Sequence, residues 1–354
     1  MSPNNRRICF VASTTLLLST LEYIIPKPLP FLKLGLANLP LLVILDTFTF
    51  KEFLLVALLK AIGQATVNGT LFSYLFLISF FGTLASALSM KSLKHILRER
   101  ISLVGCSIFG AFCSNLMQLW VADKVAYGNA IWVAAPLLLS VGLSSSIILG
   151  FIAIAYKKHS SLALDQLLIS EPPQQAMDSH RMVFFLLLLD ILAIILEKRI
   201  IILLLCSLLL YGAQYLSGRK IRILPPLLLL VSLIILSLFE PSGKELLPVG
   251  RLAFTVDALL SALTKGFRLL SLLSCSQTMV ATHPRFKGKL FDMVSMTLGY
   301  FSSFTIPKNG GTFFEKVDAT LLSALKGTPK NQKPMKVYPV AVFAIVTIGL
   351  TIFF

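Results

Sequence analysis

Glu22, Lys33 and Asn38 share one short segment with Pro26, Pro28, Pro30 and Gly35, and that segment separates two apolar runs. A backbone broken by prolines cannot face lipid, because its N–H and C=O groups would have no partners, so it must be buried in protein or line a cavity. Ionisable groups in such a place are costly and are usually retained for a function. The segment therefore reads as a ligand or transport site near one membrane face. Gln64, Asn68, Asn115 and Gln118, on the apolar runs that follow, extend the candidate set. Each has a plainer reading. Lys33 can snorkel to the interface, Glu22 can pair with it, and Asn115 or Gln118 can be hydrogen-bond glue between helices. Gly82 and Ser86, four residues apart, read as a close helix-packing face.

The elements that must hold these residues follow from composition. The chain of 354 residues is 56% hydrophobic and only 14% charged, well below the charge density of a soluble domain. Apolar windows of about 17–25 residues, the length that crosses the hydrocarbon core, recur throughout. The expected fold is an all-α polytopic membrane protein. Six spans fit the first part, at 8–25, 31–46, 51–67, 70–90, 101–122 and 129–156. The second span is short enough to be partly re-entrant. A cytoplasmic N-terminus puts Arg6, Arg7, Lys51, Lys91, Lys94, Arg98, Arg100, Lys157 and Lys158 on the inner face, as the positive-inside rule requires.

A polar stretch at 158–181, with Pro172 and Pro173, marks the boundary between a membrane domain at 1–157 and a second one at 182–354. The second gives spans at 182–196, 200–216, 223–239, 252–281 and 338–354. Lys265 and Arg268 read either as contacts to the first half or as markers of the cytoplasmic end of their span. Residues 283–336 are too polar to span. Leu290, Met293, Val294, Met296, Leu298 and Phe301 recur at roughly helical spacing, as do Phe313, Val317, Leu321, Leu322 and Leu325, which predicts cytoplasmic amphipathic helices.

Several functions are excluded or disfavoured. The net charge of +16 sits mostly in short connections, which indicates topology and anionic lipid rather than nucleic acid. The five cysteines, Cys9, Cys106, Cys113, Cys206 and Cys275, are scattered and support neither a metal site nor a disulfide framework. No two aspartates lie within four residues of each other, so the clustered hard ligands that hold Mg²⁺-diphosphate are missing. Gly243-Lys244 and Gly288-Lys289 are not followed by Ser or Thr, so the chain has no phosphate loop, and any ATP is used by separate subunits. The expectation is a protein that is not itself an enzyme.

Glu22 to Asn38, Gly82-Thr-Leu-Ala-Ser86 with Ser89, and Gly110-Ala-Phe-Cys-Ser114-Asn115-Leu-Met-Gln118-Leu119 together resemble the Gx transporter family, often labelled heptaprenyl diphosphate synthase component I. That family usually has a histidine where Ser114 stands. It is similar to the six-helix substrate-binding S components of energy-coupling factor importers. Asp257 to Leu270, Thr278 to Pro284 and the helices that follow resemble the partner T component, whose Ala-x-x-x-Arg-Gly motif docks on ATPases. The nearest match here is Ala324, Lys326 and Gly327, with lysine for arginine. The resemblance implies an inner-membrane importer for a small solute with cytoplasmic ATPase partners. An accessory subunit of prenyl diphosphate synthesis and a membrane scaffold are the alternatives.

Overall fold

The computed structural model describes residues 2–24, 34–159, 181–217, 224–237, 245–249, 252–281, 288–304, 313–326 and 337–353. The described residues are almost wholly helical, as a chain crossing lipid must be when each segment satisfies its own backbone. Lys33, Gly327, the three prolines and most of the 158–181 linker lie outside the described residues.

The first half begins with α1 (Pro3–Ile24), followed by a 3₁₀ turn at Leu36–Asn38 and the short α2 (Leu39–Val43). Long helices follow: α3 (Phe50–Asn68), α4 (Tyr74–Leu97), α5 (Leu103–Ala122) and α6 (Ala135–His159). The expected second span at 31–46 is not a through helix where it is described. Pro40 supports only a first turn, and the chain leaves the helix at Ile44 for a turn that reaches α3. Thr49 then starts α3 with a capping box, accepting from the Glu52 amide while the Glu52 carboxylate accepts from the Thr49 amide. Among the described helices, four are long and apolar enough to cross a membrane: Tyr74–Arg100, Leu103–Val125, Gly128–His159 and Val256–Val280. Helices α1 and α3 have the length but carry charges.

Helices α3 to α6 pack in sequence, and α1 lies against α3. Gly82 of α4, expected on a close helix-packing face, is on one: a β-carbon there would collide with the Gln118 side chain of α5, and one on Gly142 of α6 would collide with the Asn115 amide. One end of this bundle is basic. Lys91 donates to the carbonyls of Leu45 (2.7 Å) and Phe48 (2.5 Å), and Asp46 binds Lys94 (3.3 Å) and Lys157 (2.7 Å). Burial opposes ionisation of Asp46, but the hydrogen bonds and charges of Lys157 and Lys94 outweigh it and hold the carboxyl below the usual range. Arg7 lies over the Phe48 ring at the same end.

The second half contains α7 (Arg181–Leu196), α8 (Ile200–Leu216), α9 (Leu224–Ser237), α10 (Val256–Ala281), α11 (Lys289–Ser303), α12 (Phe313–Lys326) and α13 (Val337–Phe353). A small antiparallel hairpin, β1 (Glu245–Val249) with β2 (Leu252–Thr255), replaces the start of the expected 252–281 span. Helix α10 is the hub, packed on α7, α8 and α9, while α13 covers α7 and α8. Arg268 donates to the Glu197 carbonyl (2.6 Å) in the α7–α8 turn, and Lys265 lines a cavity with Tyr127 and Leu236. Both residues lie towards the end of the protein opposite the Asp46 cluster.

Helices α11 and α12 are amphipathic as expected, but α11 presses on α1 and α3 of the first half. Its buried face is Met293, Thr297, Tyr300 and Ser303, whereas Leu290 is exposed. Tyr300 meets Phe10 edge-on at 5.8 Å, and the Cys9 thiol reaches the Met293 carbonyl at 3.5 Å. On α12, Asp318 accepts from the Tyr156 hydroxyl of α6 (2.8 Å).

Candidate functional site

A cavity in the middle of the first bundle gathers residues from α1, the 34–38 segment, α3, α4, α5 and α6. Glu22, Asn38, Gln64, Asn115 and Gln118 all line it, with Ser114 and Ser145 among the smaller polar residues. Lys60, on this wall, is ten residues inside α3, about 15 Å along the helix axis from its start.

Glu22 is 4% exposed, and its Oε1 accepts from the amides of Leu34 (2.6 Å) and Gly35 (3.2 Å). The acid therefore holds the re-entering backbone in place and satisfies donors that no helix can satisfy. Lys60 is 3% exposed and donates to the Asn38 Oδ1. Sequence reasoning missed Lys60. The signal was present: a lysine inside Phe53-Leu-Leu-Val-Ala-Leu-Leu-Lys60-Ala-Ile-Gly-Gln64, one turn before a residue that was singled out.

Two amides are fixed by the packing. Asn115 Nδ2 donates to the Leu138 carbonyl (3.1 Å), and Gln118 Nε2 donates to Ser114 Oγ (2.8 Å). Ser114 thus orients Gln118. Gln118 is 1% exposed, and its Oε1 has no hydrogen-bond partner; neither does the Gln64 Oε1. Buried amide oxygens are nearly always paired, so two orphans on one wall are acceptors waiting for a donor. Asn68 ends α3 one turn beyond Gln64 and is not in the lining. Ala324 and Lys326 belong to α12, and their side chains are not described.

The cavity measures about 40 Å³, room for roughly three waters. A larger solute enters only if the 34–48 segment or the amide side chains move. A second cavity of about 250 Å³ lies between residues 127–130 and helices α9 and α10, but its lining is mostly apolar and includes none of the predicted first-half residues. No group of three His, Cys, Asp or Glu side chains among the described residues could hold a metal ion.

Residues 11–155 match the family model for heptaprenyl diphosphate synthase component I. The first bundle is similar to that family. Residues 178–282 match a domain of unknown function, DUF8519, which does not extend the likeness to a T component. No curated protein and no solved structure matches the chain. The family match and the apolar helices make this a membrane protein whose first half carries the candidate site.

Proposed function

We propose that the chain is a membrane transport protein that joins a substrate-binding bundle to a coupling half, in the manner of an energy-coupling factor importer for a small solute. The observation that carries this reading is the buried cavity of Glu22, Lys60, Gln64 and Gln118 with two unsatisfied amide oxygens. A scaffold has no need of such a wall, and a structural network would close it. The basic end around Arg7, Lys91, Lys94 and Lys157 supports an orientation with that end in the cytoplasm, and hence a cytoplasmic N-terminus in the inner membrane. ATP would be hydrolysed by separate subunits, docked near Ala324, Lys326 and Gly327.

Gln118→Leu tests the proposal, because leucine fills the space and removes the orphan acceptor without leaving a cavity. Full-length protein purified from cells and analysed by mass spectrometry is expected to retain a small molecule that Gln118→Leu loses while folding normally. Wild-type protein that retains no specific molecule, or a variant that keeps it, overturns the reading. The family description favours a second reading, a non-catalytic membrane accessory subunit of prenyl diphosphate synthesis. Co-purification of a soluble synthase, with no retained solute, would decide for it.

A further inference from the structure

The second half contains a buried acid that the proposed solute site does not use. Asp190 lies near the middle of α7 and is 0% exposed. Its Oδ2 is 3.9 Å from the Cys275 thiol of α10, which also approaches the Leu187 carbonyl at 3.4 Å. Its Oδ1 has no hydrogen-bond partner.

The described groups facing Asp190 are neutral. Helix α10 presents Cys275, and α8 places Cys206 within range of its charge. Helix α13 presents the Thr347 hydroxyl, already donated to the Phe343 and Ala344 carbonyls. The charges of α7 are at its ends: Arg181 at one, and at the other Glu197, bonded to Arg199 and receiving Arg268. That second group is seven residues away, about 10 Å along the helix. No described cation pairs with Asp190, and no described set of side chains completes a metal site around it.

An ionised carboxylate in these surroundings is strongly disfavoured. A proton completes the site, since one oxygen then becomes a donor and the charge vanishes. Beside it, α10 carries Ser271, Ser274, Cys275 and Thr278, all buried, and the Ser274 hydroxyl has no partner.

We propose that Asp190 is a reversible proton-binding site of the second membrane half, occupied while α7, α10 and α13 are packed together and emptied when they part enough to admit water. The step is carboxylate plus H⁺ giving carboxylic acid, with no other reactant. It does not rest on the solute reading of the first half.

The test is infrared difference spectroscopy on the full-length protein in lipid nanodiscs, comparing wild type with Asp190→Asn across acid to alkaline pH. The expected result is a protonated-carboxyl carbonyl band, lost in Asp190→Asn, that disappears reversibly at alkaline pH and is indifferent to Na⁺. Identical wild-type and variant spectra would show an acid that never holds the proton. A band that persists at every pH would show a fixed structural acid, and displacement of the band by Na⁺ would show a cation site; each overturns the proposal. If Asp190→Asn fails to fold, Asp190→Glu serves in its place, and the same band is expected to move. A band unmoved by that change belongs to another residue and refutes the assignment.

Discussion

Replacing Lys60 with methionine probes the charge arrangement on which the first-half cavity depends. Methionine keeps the length and apolar character of the stem but removes the ammonium that donates to Asn38. A hydrogen bond from a charged donor contributes about 1.5–3 kcal/mol, and the amide oxygen left behind is buried. The loss reaches further, because Glu22 lines the same cavity and would become the one charge among its described lining residues. Breaking a buried pair of charges costs about 3–5 kcal/mol, but Glu22 keeps its two backbone donors, so about 3 kcal/mol is the expected loss. The diagnostic is the double variant Glu22→Gln/Lys60→Met. Glutamine retains an oxygen for the Leu34 and Gly35 amides, and the cavity becomes neutral. The double variant should recover about 1–3 kcal/mol relative to the sum of the singles. Both tryptophans, Trp120 and Trp132, lie in the first half, so their fluorescence during thermal or denaturant unfolding reports the bundle that holds the site. Single losses that add within about 0.5 kcal/mol would mean that the two charges do not feel each other, and the argument from a shared cavity would fail.

A cysteine at position 124 should react with an impermeant reagent added to intact cells, and one at position 95 should not; the opposite pattern reverses the orientation. Asp46 has a depressed folded-state value, so the stability it contributes is present above the unfolded carboxylate value, about 4, and is lost as pH falls through the folded one. Asp46→Asn should therefore flatten the acid limb of a stability-versus-pH curve, and an unchanged limb would dismiss the cluster as a stabilising feature. Tyr156→Phe should cost about 1–3 kcal/mol and expose residues 313–326 to protease, because it strips the Asp318 contact that ties α12 to α6. Leu290→Glu with Phe291→Glu should abolish capture of any ATPase partner at high salt, whereas capture that survives both changes places the docking surface elsewhere.

The apolar spans were legible because hydropathy and length respond to the bilayer alone: α7, α8, α9 and α13 begin and end within two residues of the expected limits. The second span was legible only as one short enough to be partly re-entrant, because Gly35, Asn38 and Pro40 turn the chain locally in ways an apolar window does not register. Five candidate residues meet in one cavity. Their convergence was readable as polar groups at lipid depth, whereas Lys60 is a single lysine inside an apolar run. On the expected α11 stripe Met293 is buried and Val294 and Met296 pack against the core, whereas Leu290 is exposed; Thr297 and Tyr300, outside that stripe, are buried as well, Tyr300 edge-on to Phe10. The hairpin left little trace, since Pro248 within β1 argues against a strand by sequence alone.

The occupied face of α11 changes what a cytoplasmic partner can bind. Amphipathic helices with free apolar stripes would offer an ATPase several hundred Å² to bury, at about 25 cal/mol per Å² before ordering costs. Here Met293 and Tyr300 already belong to the core of the first half. Among the described side chains, what remains outward on these helices is Leu290 at 51%, Phe291 at 52% and Leu322 at 38% exposure. The same helix is therefore packed inward on α1 while presenting a smaller apolar edge outward. On α1 the contact residue Phe10 and the cavity residue Glu22 are twelve residues apart on one continuous helix, about 18 Å. A partner that shifts α11 acts on that helix directly. Any coupling between a cytoplasmic subunit and the solute cavity thus has a rigid route through α1, and does not require the two halves to slide past each other.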